Sequence, residues 1–301
     1  MKRWHKIIVA LLALLGCAFY WLLYDNRPGD TAPAPLDIAS LRAAANAMPG
    51  NKPDTISVET VARGALADTM LVAGSGFGRR DQGVHSFRIA TGDQSIILDS
   101  GLSAESNAAM PFYKHDGDAY ARVLAALPRA RLIVVTHEHL DHIGGVLAAQ
   151  NWANVSPRTR ITREQVDHPE VTAPLEWPKG SRETYQPLSY QGMLPIAPGV
   201  VLIKAPSHTP GSQMMFVQLA TGREYLFMGD ISSMDRNWRE TRARSRLVGD
   251  LFVGENRAAV FGWLKAFKAL HEANPQVVMV PSHDAVTVDE MVQAGLLKRG
   301  F

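Results

Sequence analysis

Hydrophobic and polar positions along the 301-residue chain follow three patterns. The first is an unbroken run. After the basic start MKRWHK, IIVALLALLGCAFYWLLY carries no charge, is long enough to cross a hydrocarbon layer as a helix, and ends in Tyr20, Trp21 and Tyr24, which suit a membrane interface. The second is a series of short apolar runs without helical period. Those near residues 57–61, 70–73, 85–89 and 95–98, then RLIVVT, VVLIKAP, MMFVQLA, REYLFMG and QVVMVPS, predict strands. The third repeats at helical spacing. It covers LDIASLRAAANAMPG, with Asp37 as N-cap and Pro49-Gly50 as its stop, residues 119–127, and RAAVFGWLKAFKALHEA. Clusters of strands, each followed by helices, predict an α/β sandwich with two sheets inside and helices outside.

These patterns divide the chain into an anchor or signal at residues 1–24, a linker with a short helix at 25–56, and one domain at 57–301. The Pro-rich stretch DNRPGDTAPAP reads as a spacer that holds the domain off the membrane. Lys2, Arg3 and Lys6 precede the apolar run and stay in the cytoplasm, so the expected location is an inner-membrane anchor with the domain facing the periplasm or exterior. Two competing readings are a cleaved signal peptide on a secreted protein, and a lipoprotein modified at Cys17 of LLGC. The polar residues expected after a lipidated cysteine are replaced here by AFYWLLY.

Charge sharpens this division. The net +2 of the whole chain is carried by the first 27 residues, with four basic groups and one acid, and the remainder holds 27 basic against 28 acidic residues. Such a domain lacks the basic surface that a nucleic-acid partner requires. Cys17 is the only cysteine, so the domain can form no disulfide and offer no thiolate to a metal.

The densest chemistry lies in LIVVTHEHLDHIGG, residues 132–145. His137 and His139 alternate on an extended chain, so both imidazoles can point the same way. Asp141 and His142 follow after the chain has begun to turn into the helix that Gly144-Gly145 introduces. A polar turn capping its own backbone is the bland alternative, but three histidines and an aspartate at this spacing after an apolar strand point to metal. Two differently directed ligand sets suggest two ions side by side.

This His-x-His-x-Asp-His run resembles the signature of the metallo-β-lactamase superfamily, and the later elements of that pattern follow in order. APSHTPGSQMMF supplies His208, LFMGD supplies Asp230, VMVPSHD supplies His283, and the earlier IILDSG supplies Asp99. The resemblance covers residues 57–284. It implies an αββα sandwich of two mixed sheets flanked by helices, and a metal-dependent hydrolase with two Zn2+ per chain, iron being the alternative. His137, His139 and His208 would hold one ion and Asp141, His142 and His283 the other, with Asp230 bridging both. A hydroxide shared by the ions would then attack the carbonyl of a lactone, ester or related amide, with Asp141 carrying a proton to the leaving group. Asp99 would orient a ligand histidine without touching metal, although an aspartate before Ser100-Gly101 is also an ordinary turn former. Thr136 and Ser282 stand at strand ends where a hydroxyl is common.

The substrate is a small molecule, and departures from the pattern narrow it. Asp230 occupies the place where some β-lactamases carry a cysteine, which excludes those subclasses and favours the lactonase and glyoxalase II-like branches. Lactonases acting on acyl-homoserine lactones carry a tyrosine shortly after this aspartate; here Ser232, Ser233 and Met234 follow. PSHD also departs from the Gly-His-Glu of glyoxalase II-like enzymes. A phosphodiesterase or nuclease of the same fold, β-lactam hydrolysis, iron-dependent persulfide or oxygen chemistry, and a degenerate binding protein are the alternatives. Two features are candidates for lining the pocket. GSGFGRR reads as a hairpin turn, or as a flap with Phe77 over an apolar substrate. DRNWRETRARSR reads as a solvated helix face, or as a place where Arg236 and Arg239 meet a substrate anion.

Overall fold

A computed structural model describes residues 3–108, 110, 113–148 and 150–301. Twelve strands occur among these residues: β1 (Thr55–Ala67), β2 (Arg79–Thr91), β3 (Gln94–Leu98), β4 (Tyr113–His115), β5 (Leu132–Val134), β6 (Thr159–Arg160), β7 (Met193–Ala197), β8 (Val200–Lys204), β9 (Gln213–Gln218), β10 (Glu224–Phe227), β11 (Val278–Val280) and β12 (Lys298–Arg299). One mixed sheet runs β12-β1-β2-β3-β5-β6, with β4 also on β1, and the other runs β11-β10-β9-β8-β7.

The two sheets face each other across one apolar layer, in which Ile56, Phe87 and Leu98 of the first meet Leu202, Met215 and Phe227 of the second. The reverse face of the second sheet, through Val201, Ile203 and Phe216, packs on the helices Ile38–Ala45 and Arg257–Ala273. Ile97 and Ile133 on the reverse of the first sheet pack against the helix Leu140–Leu147. Residues pointing to either face of β8 are therefore apolar. This explains why VVLIK reads as a continuous hydrophobic run rather than an alternation.

Asp37 caps its helix as expected, accepting from Ser40 N at 2.7 Å. Residues 70–73 are not a strand. Asp68–Leu71 is a helical turn inside the loop that joins β1 to β2. Those two strands pair from Thr55↔Ala90 to Ala67↔Arg79, so the chain must reverse there, and Asp68 N and Thr69 N bond to Gly78 O and Gly76 O instead of a neighbouring strand.

The Pro-rich stretch is also not a free spacer. Asp25 is almost fully buried. Its carboxylate accepts from Arg27 Nε at 2.6 Å and Arg246 Nη2 at 2.9 Å, and its carbonyl accepts from Arg257 Nη2 at 3.1 Å. Further on, Ala34 N bonds to Gly262 O, and Lys265 Nζ donates to Thr31 O at 2.7 Å. The segment binds the helix Arg257–Ala273 because its carbonyls at Asp25 and Thr31 meet donors there and its Ala34 N–H meets a helix carbonyl. Among the described residues, one helix, Arg3–Tyr24, is long and apolar enough to cross a membrane as an anchor or to serve as a signal.

Candidate metal centre

Every chemical residue of the signature stands where a strand has just ended. β5 stops at Val134, and His137 and His139 follow in the turn before the helix Leu140–Leu147, which carries Asp141 and His142. That helix comes unusually close to the loop after β3. A Cβ on Gly145 would lie 2.3 Å from Ser100 O, so glycine is obligatory there. Ser100 Oγ donates to His142 O at 2.9 Å and accepts from Val146 N at 3.0 Å, which fixes the helix start. From the second sheet come His208 after β8, Asp230 after β10 and His283 after β11.

These side chains converge into two clusters. His137 Nε2 and His208 Nε2 lie 2.9 and 3.0 Å from His139 Nδ1. His142 Nε2 and His283 Nε2 are 3.2 Å apart, with Asp141 Oδ2 at 3.7 and 3.5 Å from them. Asp230 stands between the clusters. Its Oδ1 is 3.3 Å from His142 Nε2 and 3.0 Å from His283 Nε2, while its Oδ2 is 3.4 Å from His208 Nε2.

The outer nitrogens show which way the lone pairs point. Acceptors hold three of the rings by Nδ1: Asp99 Oδ2 at 2.9 Å from His142, Glu255 Oε1 at 2.6 Å from His208, and Gly83 O at 2.8 Å from His283. An Nδ1–H engaged in this way leaves the Nε2 lone pair facing inward, the arrangement of a metal-binding histidine. Burial, followed by His208, pushes His139 down to about 3. Burial and then His142 hold His137 well below the usual histidine range, so both offer lone pairs rather than protons. In the second cluster burial opposes charging, but Asp141, Asp99 and Asp230 together raise His142, and Asp230 and Asp141 raise His283. Asp230 is held well below the carboxylate range because His283 and Arg244 overcome its burial. Two converging sets of nitrogen and oxygen donors that share Asp230 fit a pair of divalent cations. The three-ligand groups have all their donor atoms within 4.8 Å of one another.

Asp99 sits at φ 61°, a left-handed conformation uncommon for a residue with a side chain. From there its carboxylate also accepts from Thr136 N at 2.7 Å and Thr136 Oγ1 at 2.9 Å. Ser282 Oγ donates to Asp230 Oδ1 at 2.6 Å. Glu138, buried and facing away from the clusters, accepts from Thr209 Oγ1 at 2.7 Å and Gly211 N at 2.9 Å, and so pins the turn that presents His208. Two charged residues were not singled out from the sequence. Arg244 donates to Asp230 O at 2.7 Å and Asp230 Oδ2 at 2.8 Å, and reaches Glu255 at 2.5 Å.

A family model for the metallo-beta-lactamase superfamily matches residues 79–283. The chain belongs to that superfamily. As a member of the metallo-beta-lactamase superfamily it has curated relatives, among them the N-acyl homoserine lactonase AiiA of Bacillus thuringiensis subsp. kurstaki, 30% identical over 112 residues. That segment is 36% of this chain and 41% of the relative, so the match spans about two fifths of the curated protein's length. Solved structures share the fold. An N-acyl homoserine lactone hydrolase with N-hexanoyl-L-homoserine at its catalytic metal centre has a TM-score of 0.61 at 16% identity, over 79% of this chain and 96% of that one. AidC, a dizinc quorum-quenching lactonase bound to a product, has a TM-score of 0.55 at 16% identity, over 77% and 88% of the two chains.

A cavity of about 530 Å³ opens onto His139, Asp141, His208, Asp230 and His283. Its walls combine apolar side chains, among them Leu66, Leu71, Val248 and Phe252, with Gln82, Tyr113, Ser233 and Arg244. Phe77, Arg236 and Arg239 are not among these wall residues. Phe77 stacks on Phe19 at 5.9 Å between ring centroids. Arg236 is paired with Asp68 and Glu240, both at 2.6 Å, and Arg239 with Asp235 while lying over the Trp238 ring. Local carboxylates satisfy both arginines. Tyr113 enters from β4, its hydroxyl donating to Gln82 Oε1 at 3.4 Å. Burial, reinforced by Asp141 and Asp230, holds its phenol protonated far above the usual range.

Proposed function

We propose that the chain is a two-metal hydrolase that opens the carbonyl of a lactone or other ester, with zinc as its resident metal. The observation that carries this reading is the position of Asp230, whose two oxygens face different histidine clusters at the floor of a partly apolar cavity. His137, His139 and His208 would hold one cation, and Asp141, His142 and His283 the other, with Asp230 shared. Two cations held there would polarise a carbonyl oxygen and bring the pKa of a water between them toward neutrality.

The chain's own groups do the remaining work. Arg244 grips Asp230 through both its carbonyl and its carboxylate, so the shared ligand cannot rotate away. Asp141 lies at the cavity floor, where a carboxylate can pass a proton to a leaving alkoxide. Gln82 Nε2 and Ser233 Oγ are buried wall atoms with no hydrogen-bond partner among the described residues, and Tyr113 stands beside them with its hydroxyl turned to Gln82 Oε1. Such groups orient a polar substrate head while the apolar walls take its acyl chain and exclude water. Asp25 and Leu23 are bound into the domain, which supports an anchor retained in the mature protein, and Lys2, Arg3 and Lys6 before the apolar run support a domain lying outside the cytoplasm.

Metal analysis of purified protein is expected to find about two zinc per chain, as a two-metal site requires. A single iron, or none, overturns the metal assignment. A panel of lactones, thioesters, β-lactams and phosphodiesters, with His139→Ala as the control, is expected to show site-dependent turnover of lactones or esters first. Turnover confined to phosphodiesters, or unaffected by H139A, overturns the reading.

A further inference from the structure

The rim of the cavity and the apolar N-terminal helix are bound to the same small set of residues. Leu23 O accepts from Thr69 Oγ1 at 2.8 Å and Gly74 N at 2.9 Å, in the loop between β1 and β2. Asn26 Nδ2 donates to Thr241 O at 3.2 Å, and its Oδ1 accepts from Ala243 N at 3.1 Å. Arg246 pairs with Asp25 and Asp250, both at 2.9 Å, and its guanidinium lies 5.2 Å from the Trp21 ring centre. The helix therefore leaves the domain at a fixed place. The widened helical segment Leu247–Val253 begins at the next residue.

That segment forms part of the cavity wall through Val248, Phe252 and Val253. Its tip nevertheless projects outward: Leu251 is 62% exposed and Phe252 77% exposed. Phe77, 56% exposed, stacks against Phe19 of the helix. Among the described residues, most of the large, strongly exposed apolar side chains belong to the helix itself. Phe77 extends that apolar surface at the helix base, and Leu251 and Phe252 expose theirs at the mouth of the cavity. Water-exposed aromatic and leucine side chains beside the exit of a spanning helix are placed to enter the headgroup and acyl boundary of a bilayer.

We propose that this rim is a membrane-contact surface, and that the cavity draws its substrate, an ester or lactone with an apolar acyl chain, from the bilayer surface. The proposal rests on the hydrolase reading for its substrate and on a retained helix for its geometry. Phe252 then has one side toward lipid and the other toward the cavity, giving an acyl chain a continuous apolar path to the metal floor.

The test uses the full chain with Cys17→Ser in vesicles containing bromine-labelled acyl lipids. A fluorophore is attached in turn to Leu251→Cys, Phe77→Cys and Thr221→Cys; Thr221 lies in the β9–β10 turn, at the end of β10 opposite Asp230. Lipid quenching at positions 251 and 77 but not at 221 is the expected result. Equal and negligible quenching at all three overturns the proposal, as does a disulfide-linked dimer of the unlabelled Leu251→Cys chain together with absent quenching of the labelled one. In the second arm, Leu251→Ser is expected to lower kcat/KM for a long-chain acyl lactone about tenfold, the worth of one buried leucine contact, with short-chain turnover unchanged. Hydrolysis with unquenched labels overturns this surface and leaves the hydrolase reading intact. Quenched labels on a chain inert toward every ester keep the surface and overturn the hydrolase reading.

Discussion

Asp99 concentrates several demands at one residue. It accepts a left-handed backbone, takes hydrogen bonds from the N–H and the hydroxyl of Thr136, and faces His142 Nδ1. Asp99→Asn tolerates the same backbone but cannot accept as a carboxylate, so metal affinity is expected to fall about 10–100-fold. Competition with a chromogenic chelator measures this, and an unchanged affinity would reduce Asp99 to a turn former. His85 supplies a second residue-scale prediction. It is buried in β2 with Thr60 Oγ1 at 3.0 Å, and burial followed by His283 holds its pKa well below the ordinary value. It therefore stays neutral in the folded chain while the unfolded chain takes up a proton below about pH 6.5. Its contribution is present above that pH and is lost as the pH falls, at up to about 1.4 kcal/mol per unit. Denaturant melts between pH 7 and 5 should show a shallower slope for His85→Phe. The metal-cluster residues were legible because their spacing and strand-end positions are unusual in themselves. Arg244 and Glu255 were not: Arg244 stands in a run of arginines that reads as a solvated face, and Glu255 is 47 positions from the His208 ring it holds. Tyr113 was hidden in the same way, since β4 spans three residues and reaches the cavity through tertiary pairing with β1.

At the scale of elements, the loops after β3 and β5 meet through backbone rather than side chains. Gly145→Ala would press a methyl group against Ser100 O, which cannot swing aside. A cost of about 1–3 kcal/mol in stability is expected, with parallel loss of metal, because the displaced helix carries Asp141 and His142. Thermal melts and metal titration read the two effects separately, and a variant as stable as the parent would show that the helix slides freely. The sheets were legible wherever both faces are buried, as in β8 and β9. The segment at residues 70–73 misled because an apolar tetrapeptide has too few positions to show a period, and its fate was decided by the β1–β2 pairing on either side. β6 and β12, two residues each, left no pattern to read.

For the molecule as a whole, the segment after the apolar helix is bound to the body of the fold through Leu23, Asp25 and Asn26. Asp25→Ala removes an ionic partner of Arg246 and is expected to cost about 2 kcal/mol, or roughly 4–8 °C in Tm. Calorimetry of the full chain in detergent checks this, and an unaltered Tm would restore the segment to the role of a free spacer. The metal floor has a further consequence at this scale. Four candidate ligands hang from the first sheet and three from the second, so cations bound among them would clasp two halves otherwise joined by an apolar layer. Ligand binding of this kind adds to folding stability by mass action. Chelator treatment should therefore lower Tm and open the seam to proteolysis within the residues that follow β8 and β10. Supply of the bound cation would then set how long the enzyme survives as well as how fast it turns over.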